Sequence, residues 1–417
     1  MTGLRSFRTL ALPICNSRHL TQHARHIHHT TRTSQAKPAT ASPPISSPPT
    51  QRHQHENLIY PQRKATVDTH TMGTSLNRYL AMKVHQSVLE RAYPNGITIT
   101  GAYSRTHPSS ILFSGEKTDK PFNWQRPTAR LSSCSSRLYI DCFPGYDHVE
   151  HYAEIIATYL SLQANKNLTC PAKVNFIPSS CSDTQTALLE SNLSSLPPNI
   201  DTVVLGLVHR LQALTGPAKW NQQDGSFAWT VQNFPRSSKN VAFIGFRPSF
   251  WGDISGEVVH FLASRLGVKE VLYFGKLGSV RPGVKPNTWL ATGGKSIVRG
   301  QTVEWENILQ KSVEKLAEGD AVVGTHVTLG SVLHETRDWL ASLPASVDFV
   351  DPEVGMMAQA AVRSGVRFGY LHIISDNVAE KYEEDLSNER MESVLERRGK
   401  LYRLVQDVLG DYLSHGN

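Results

Sequence analysis

The chain has 417 residues, 39% hydrophobic and 19% charged, enough to bury one large core or two ordinary ones. No run approaches the roughly 20 consecutive apolar residues of a spanning helix, so helical passage through a membrane is excluded. The net charge of +7 is local: seven of the 43 Lys and Arg precede Glu56 with no acid among them, leaving 36 bases against 36 acids in a neutral body that carries no basic nucleic-acid footprint.

The acid-free N-terminus, with Leu10, Leu12 and Ile14 among its arginines, serines and threonines, has the composition of a mitochondrial transit peptide. A disordered basic tail, or a start upstream of the true one at Met72 or Met82, are the alternatives, so mitochondrial and cytoplasmic locations both stay open. Residues 37–50 (KPATASPPISSPPT) are too rich in Pro and Ser to fold, and disorder is expected to about His70. The five cysteines, Cys15, Cys134, Cys142, Cys170 and Cys181, show neither zinc spacing nor a disulfide framework and fit a reducing compartment. Sequons at Asn167 and Asn192 match a pattern short enough to arise by chance.

The next 60 residues or so, 71–130, read as an irregular lead-in with strands at 97–103 and 111–114 around the turn-rich SRTHPSS. From 131 the pattern alternates: strand 137–143, helix 148–162, strand 173–177, helix 182–191 and apolar strand 201–208. This βαβαβ order predicts helices covering a largely parallel sheet. A buried-type strand follows at 240–246, then a helix N-capped by Asp253, with Ile254, Val258, Leu262 and Leu266 on one face and Gly267 ending it. Strand 270–274 runs into the loop Gly275-Lys276-Leu277-Gly278-Ser279. A strand near 289–292, a helix across 305–316, a helix across 353–364, a strand across 366–374 and a terminal helix across 386–413 complete the series. The organisation expected is therefore residues 1–70 disordered, 71–130 lead-in and 131–417 one α/β domain.

In open α/β sheets a ligand lies beyond the carboxyl ends of the strands, where loop amides and helix N-termini converge. Three polar segments occupy such positions: Gly275 to Ser279, Phe349-Val350-Asp351-Pro352-Glu353, and Ser375-Asp376-Asn377. The stretch VDFVDPEVGMMAQAAVRSGVRFGYLHIISDNVAE resembles the signature of the nucleoside phosphorylase and nucleosidase superfamily, a V-x-M-E-x-A-A helix start followed about twenty residues later by a strand ending in S-D. Upstream, VAFIGFRPSFWGDISGEVVHFLASRLGVKEVLYFGKLGSVRPGVKPNTWLATGG resembles the same family's first strand, helix and G-x-x-G loop.

The resemblance implies a three-layer α/β/α fold around a central mixed, largely parallel sheet. It also implies an enzyme that cleaves the N-glycosidic bond of a purine nucleoside or related metabolite with phosphate or water. Carried over, Glu353 holds the ribose hydroxyls, and Asp351, Val350 and Phe349 line the sugar and base pocket. Asp376 protonates the leaving base, with Arg390 as its helper, and Gly275, Lys276, Gly278 and Ser279 contact phosphate or the attacking water. No cofactor or metal is implied beyond phosphate as co-substrate; the partner is a small-molecule nucleoside, neither nucleic acid nor membrane, and the chain is expected to form a homo-oligomer. Two departures stand out: Pro352 replaces the family's Met, and Lys276 replaces its Ser or Thr. A protein that binds and senses a nucleoside without turnover is the alternative reading.

Several other residues read as structural. His372, within an apolar strand, is expected to be a core histidine. His148, His151 and Glu154 share one helical face, expected to be a solvated polar face rather than a metal site.

Overall fold

A computed structural model of the chain describes residues 58–61, 64–106, 109–116, 122–164, 173–217, 219–221 and 225–415. The expected transit segment, the Pro/Ser-rich stretch and the Asn167 sequon lie outside them. No described helix is long and apolar enough to cross a membrane. Packing begins ahead of residue 71: Ile59 bridges Phe176, and the fully buried His70 places Nε2 2.9 Å from the Val332 carbonyl.

The first part of the body contains α1 (Ser75–Lys83), α2 (Gln86–Glu90), β1 (Ile97–Thr100), β2 (Thr128–Leu131), β3 (Leu138–Asp141), α3 (Tyr146–Ala164), β4 (Val174–Phe176) and α4 (Cys181–Glu190). Its four strands form a separate sheet in the order β2-β3-β1-β4, with β1 parallel to β3 and β4 and β2 antiparallel. The boundary expected near residue 130 therefore falls inside a sheet. Residues 111–114 form no strand; Leu112 makes a single bridge to Ala129. The apolar faces of α1 and α3 (Leu76, Leu80, Val149, Ile156) pack with Ile97, Ile99 and Ile140 into a core of their own.

The continuous sheet predicted across 137–208 is corrected here, because β5 (Thr202–Gly206) leaves β3 and β4 for a second, nine-stranded sheet. That sheet also takes β6 (Phe227–Phe234), β7 (Lys239–Phe246), β8 (Glu270–Ser279), β9 (Leu290–Val298), β10 (Gln301–Glu304), β11 (Ala321–Thr328), β12 (Val347–Asp351) and β13 (Arg367–Asn377). Between them run α5 (Gln212–Thr215), α6 (Asp253–Leu266), α7 (Gln310–Leu316), α8 (Arg337–Ser342) and α9 (Val354–Ser364), and α10 (Glu392–His415) ends the described chain.

On β5, β7, β8 and β13, alternate residues face opposite cores, which is why these strands read as unbroken apolar runs. Val203, Leu205, Ala242, Ile244 and Val271 pack against α6 and α9, whereas Val204, Val241, Phe243, Leu272 and Ile373 pack against Leu401, Val405 and Val408 of α10. Gly267 and Gly365, at φ +69° and +66°, end α6 and α9 in the left-handed conformation their positions in the sequence predicted. Asp253 does not cap its own helix. Its carboxylate accepts the Tyr146 and Asp147 amides at 2.8 and 3.1 Å, and Asp147 in turn accepts the Asp253 amide at 3.1 Å, so α3 and α6 cap each other.

Beyond β8 the sheet departs from the expected single open layer. The pairings β8–β13, β13–β9, β9–β11, β11–β12 and β12–β8 close a ring of five strands, a small barrel with β5, β7 and β6 extending from β8 as an open wing. Register shifts on β11 and β13 accompany the closure, as expected where an extra residue bends a strand and raises its local twist.

Candidate active site

Gly275 to Ser279, predicted as a loop, are the second half of strand β8. The first half lies between β5 and β13; the second keeps β13 but exchanges β5 for β12, where Gly278 faces Val350. Glycine gives Asp376 room there: a Cβ on Gly278 would stand 3.0 Å from Asp376 Oδ2 and 3.3 Å from Val350 Cγ1, so a side chain would press on the carboxyl.

Asp376 reaches that position through an irregularity. Along β13 the register with β8 shifts between Ile374 and Asp376, so Ser375 is the extra residue and Asp376 is re-aimed. Ser375 Oγ lies 2.7 Å from Asp376 Oδ1 and 3.2 Å from the Leu277 carbonyl. Burial pushes the Asp376 carboxyl up to about 6, against the opposing pull of the Ser375 hydrogen bond and the Lys276 charge. It holds its proton closer to neutrality than an ordinary aspartate.

Glu353 follows β12 through Pro352 into α9. A glutamate at this place would ordinarily serve the helix N-terminus, but its side chain makes no capping bond. Asp351 does that work: its Oδ1 accepts the Glu353 amide at 3.1 Å and the Val354 amide at 3.0 Å. The Glu353 carboxyl is instead close enough to the Tyr273 hydroxyl for each to influence the other's ionisation. Burial, then the charge of Asp351, push its pKa well up, and Tyr273 and Lys276 pull the other way.

Asp351 itself is held by histidines. His326 Nε2 lies 2.7 Å from Oδ1 and His372 Nε2 lies 3.6 Å from Oδ2, all three side chains being buried. His372 Nδ1 accepts the Gly275 amide at 3.1 Å, which leaves its other ring nitrogen facing Asp351. Burial alone would raise the Asp351 pKa, yet the two histidines hold it below the ordinary carboxylate range. Asp351 borders the cavity; Oδ1 serves α9 and faces His326, while Oδ2 has no hydrogen-bond partner among the described residues.

These groups meet at a cavity of about 280 Å3. Of the residues singled out in the sequence, Gly275, Lys276, Gly278, Val350, Asp351, Glu353, Asp376 and Arg390 line it. Ser279 and Phe349 do not: Ser279 is fully buried, with Oγ bound to the Arg281 amide at 3.2 Å, and Phe349 is a core ring. Both lie on strand rather than loop, and pleat alternation turns them from the side of their neighbours Gly278 and Val350. Lys276 forms an ion pair with Glu389. Glu389 is also 3.8 Å from Arg398, whose Nε donates to Asn287 Oδ1 at 2.6 Å.

Glu389, Arg398, Glu335 and Tyr79 were not identified from the sequence, although all line the cavity. They sit in no motif, and only folding brings the 70s, the 330s and the 390s together. Tyr273 carried a signal: it precedes Gly275 by two and so shares its face of β8.

The face bearing His148, His151 and Glu154 is buried, not solvated. His148 Nδ1 is 3.1 Å from the Phe143 carbonyl, His151 Nδ1 is 2.8 Å from Ser331 Oγ, and Glu154 is 2.8 Å from His334 Nε2. His151 also stacks on Trp251, with ring centroids 4.1 Å apart. Among the described residues no group of three or more His, Cys, Asp or Glu is arranged to hold a metal ion. At the Asn192 sequon, the side-chain amide bridges the Phe227 carbonyl and amide at 2.8 and 3.0 Å.

Glu353→Ala, which removes both the donor and the acceptor of a side chain held protonated, is expected to weaken binding of a sugar diol about tenfold to a hundredfold, the scale of two neutral hydrogen bonds. Calorimetric titration with a nucleoside checks this, and unchanged affinity would detach Glu353 from the sugar.

No family model matches the chain. Among curated proteins, the oxidoreductase cns1 of Cordyceps militaris is 27% identical over 241 residues, covering 52% of this chain and 30% of that protein. The chain thus spans about a third of that relative's length. Similar solved structures include the 5′-methylthioadenosine/S-adenosylhomocysteine nucleosidase of Campylobacter jejuni, with a TM-score of 0.41 and 14% identity over 51% of this chain and 99% of that one. The S. pneumoniae nucleosidase of the same description has a TM-score of 0.40 and 16% identity, covering 52% and 99%. A futalosine hydrolase mutant of Helicobacter pylori gives 0.41 and 16%, covering 51% and 99%.

Proposed function

We propose that this protein is an enzyme that cleaves the N-glycosidic bond of a nucleoside or related metabolite, with water as the nucleophile. The observation that carries this reading is the convergence of two buried carboxyls, Glu353 and Asp376, on one cavity, both with raised pKa values. Departure of the base places positive charge on the sugar and negative charge on the heterocycle. A proton held by Asp376 meets the second charge and so acts most strongly at the transition state, while the Glu353 carboxyl, kept neutral by burial and the Asp351 charge, binds the sugar hydroxyls as a hydrogen-bond donor and acceptor.

The choice of water follows from Lys276. A lysine beside the reacting centre would suit an incoming phosphate, but its charge is already met by Glu389. An anion would have to displace that carboxylate, whereas water can hydrogen-bond to it. Incubation with a nucleoside panel, with and without inorganic phosphate, should release free base at equal rates and ribose rather than ribose 1-phosphate. Base release that requires phosphate would overturn the nucleophile, and nucleoside binding with no release in either condition would favour the sensor reading. In Glu389→Ala, where Lys276 loses its partner, phosphate is expected to change the rate; continued indifference to phosphate would show that the ion pair does not govern anion entry.

A further inference from the structure

One part of the cavity is not used by this chemistry. Glu335 lies between β11 and α8, and it is only 6% exposed. Its backbone is pinned: the carbonyl accepts both the Thr71 amide at 3.1 Å and the Thr71 hydroxyl at 2.8 Å, and the amide donates to the Val332 carbonyl at 3.1 Å. Its side chain, by contrast, lines the cavity and has no hydrogen bond or ion pair among the described residues. The hydroxyl of Tyr79, on α1, is in the same situation: it is 2% exposed, it borders the cavity, and no described residue hydrogen-bonds it. A buried carboxyl left without a partner forfeits its hydration with nothing in return. Two such groups on one cavity wall indicate that a ligand completes them.

Their place in the cavity says which end of the ligand they meet. Glu335 is close enough to Asp376 to feel its charge, and Tyr79 feels Glu335, Glu389, Arg126 and Asp376. Both therefore stand on the proton-donor side of the site, within reach of Asp376.

We propose that Glu335 and Tyr79 recognise the outer edge of the leaving heterocycle, and that the ligand carries an adjacent donor and acceptor there, as an amidine or a lactam does. This rests on the reading of Asp376 as the group facing the base. Burial, then the Asp376 charge, hold the Glu335 pKa well above the usual carboxylate range, so the side chain meets the ligand as a neutral acid. Its O–H donates and its C=O accepts at neighbouring atoms, which pairs with either edge. The Tyr79 hydroxyl adds a further donor. An unsubstituted ring leaves these groups unpaired and is discriminated against.

The test uses the full chain and three free bases, adenine, hypoxanthine and purine, titrated calorimetrically into wild type, Glu335→Gln and Glu335→Leu. Wild type should bind adenine or hypoxanthine at least about tenfold more tightly than purine. Glu335→Leu should abolish that preference, and Glu335→Gln, which keeps a donor and an acceptor, should restore part of it. Thermal melting verifies folding, and Glu335→Leu should melt no lower than wild type because it removes a buried, unpaired polar group. Equal binding of all three bases by wild type, no base binding by wild type, or a preference unaltered in Glu335→Leu would each overturn the proposal. Base release by a wild type whose base binding ignores Glu335 sinks this inference and leaves the glycosidase reading standing. Glu335-dependent base binding without turnover does the reverse.

Discussion

Asp376→Asn should lower the rate of base release about 10²- to 10⁴-fold, the range spanned by a positioned general acid, while nucleoside binding changes little. The substitution keeps the shape beside Gly278 and Ser375 and removes only the transferable proton. Wild-type turnover should fall as pH rises through about 6, where burial has moved this carboxyl, because the protonated form is the active one. Stability gives an independent readout. A folded-state pKa above the ordinary value of roughly 3.9 contributes stability that is complete below that value and lost as pH rises through about 6. Asp376→Asn should therefore be more stable than wild type at pH 7 to 8, by an amount on the order of 1–3 kcal/mol, and should lose that advantage below about pH 4. Denaturant titration at several pH values, beside a base-release assay, measures both effects. Undiminished turnover would remove Asp376 from the chemistry whatever the stability result.

The largest expected loss of stability follows from Asp351→Ala. One buried carboxylate receives two α9 amides and faces two histidines, so its removal leaves both amides without their acceptor and the rings without the charge beside them. Breaking a buried charge pair from one side typically costs about 3–5 kcal/mol, and urea unfolding should show a loss of that size. Asp351→Asn retains an oxygen for the helix and should lose less. In wild type the histidines depress the Asp351 pKa, so its contribution to stability is present above the ordinary aspartate value and is lost as pH falls below it toward the depressed one. The acid limb of the stability curve should accordingly be shallower in Asp351→Asn. A cost under about 1 kcal/mol for the alanine variant would show that the His326 contact contributes little.

The parts of this site visible in the sequence are those whose positions are set locally. Asp376 ends an apolar run, and Glu353 opens an amphipathic helix that a glycine closes, so their positions follow from neighbours within one element, while the roles expected of them rest on the family resemblance. The electrostatic surroundings of Asp351 were not legible because His326 and His372 are delivered to it by β11 and β13 from elsewhere in the chain. Glu335, Glu389 and Tyr79 carry no local pattern at all. The fold divides similarly. Strands such as β7 and β13 announce themselves by burial on both faces, whereas β6 was missed because its second half, Val231 to Phe234, is only partly buried or exposed and breaks the apolar run. Ring closure depends on a strand exchanging neighbours halfway along its length, as β8 does, and hydrophobic periodicity has no register for that event.

The wall that α1 and Glu335 contribute has a consequence for how the cavity persists. Thr71 fastens the segment before α1 to the backbone of Glu335, so Tyr79 and Asp376 border one cavity within a single covalent chain. The local concentration of that wall is set by the connecting polypeptide and not by the amount of protein in solution. Dilution, which strips a borrowed wall from a site shared between subunits, leaves this one in place.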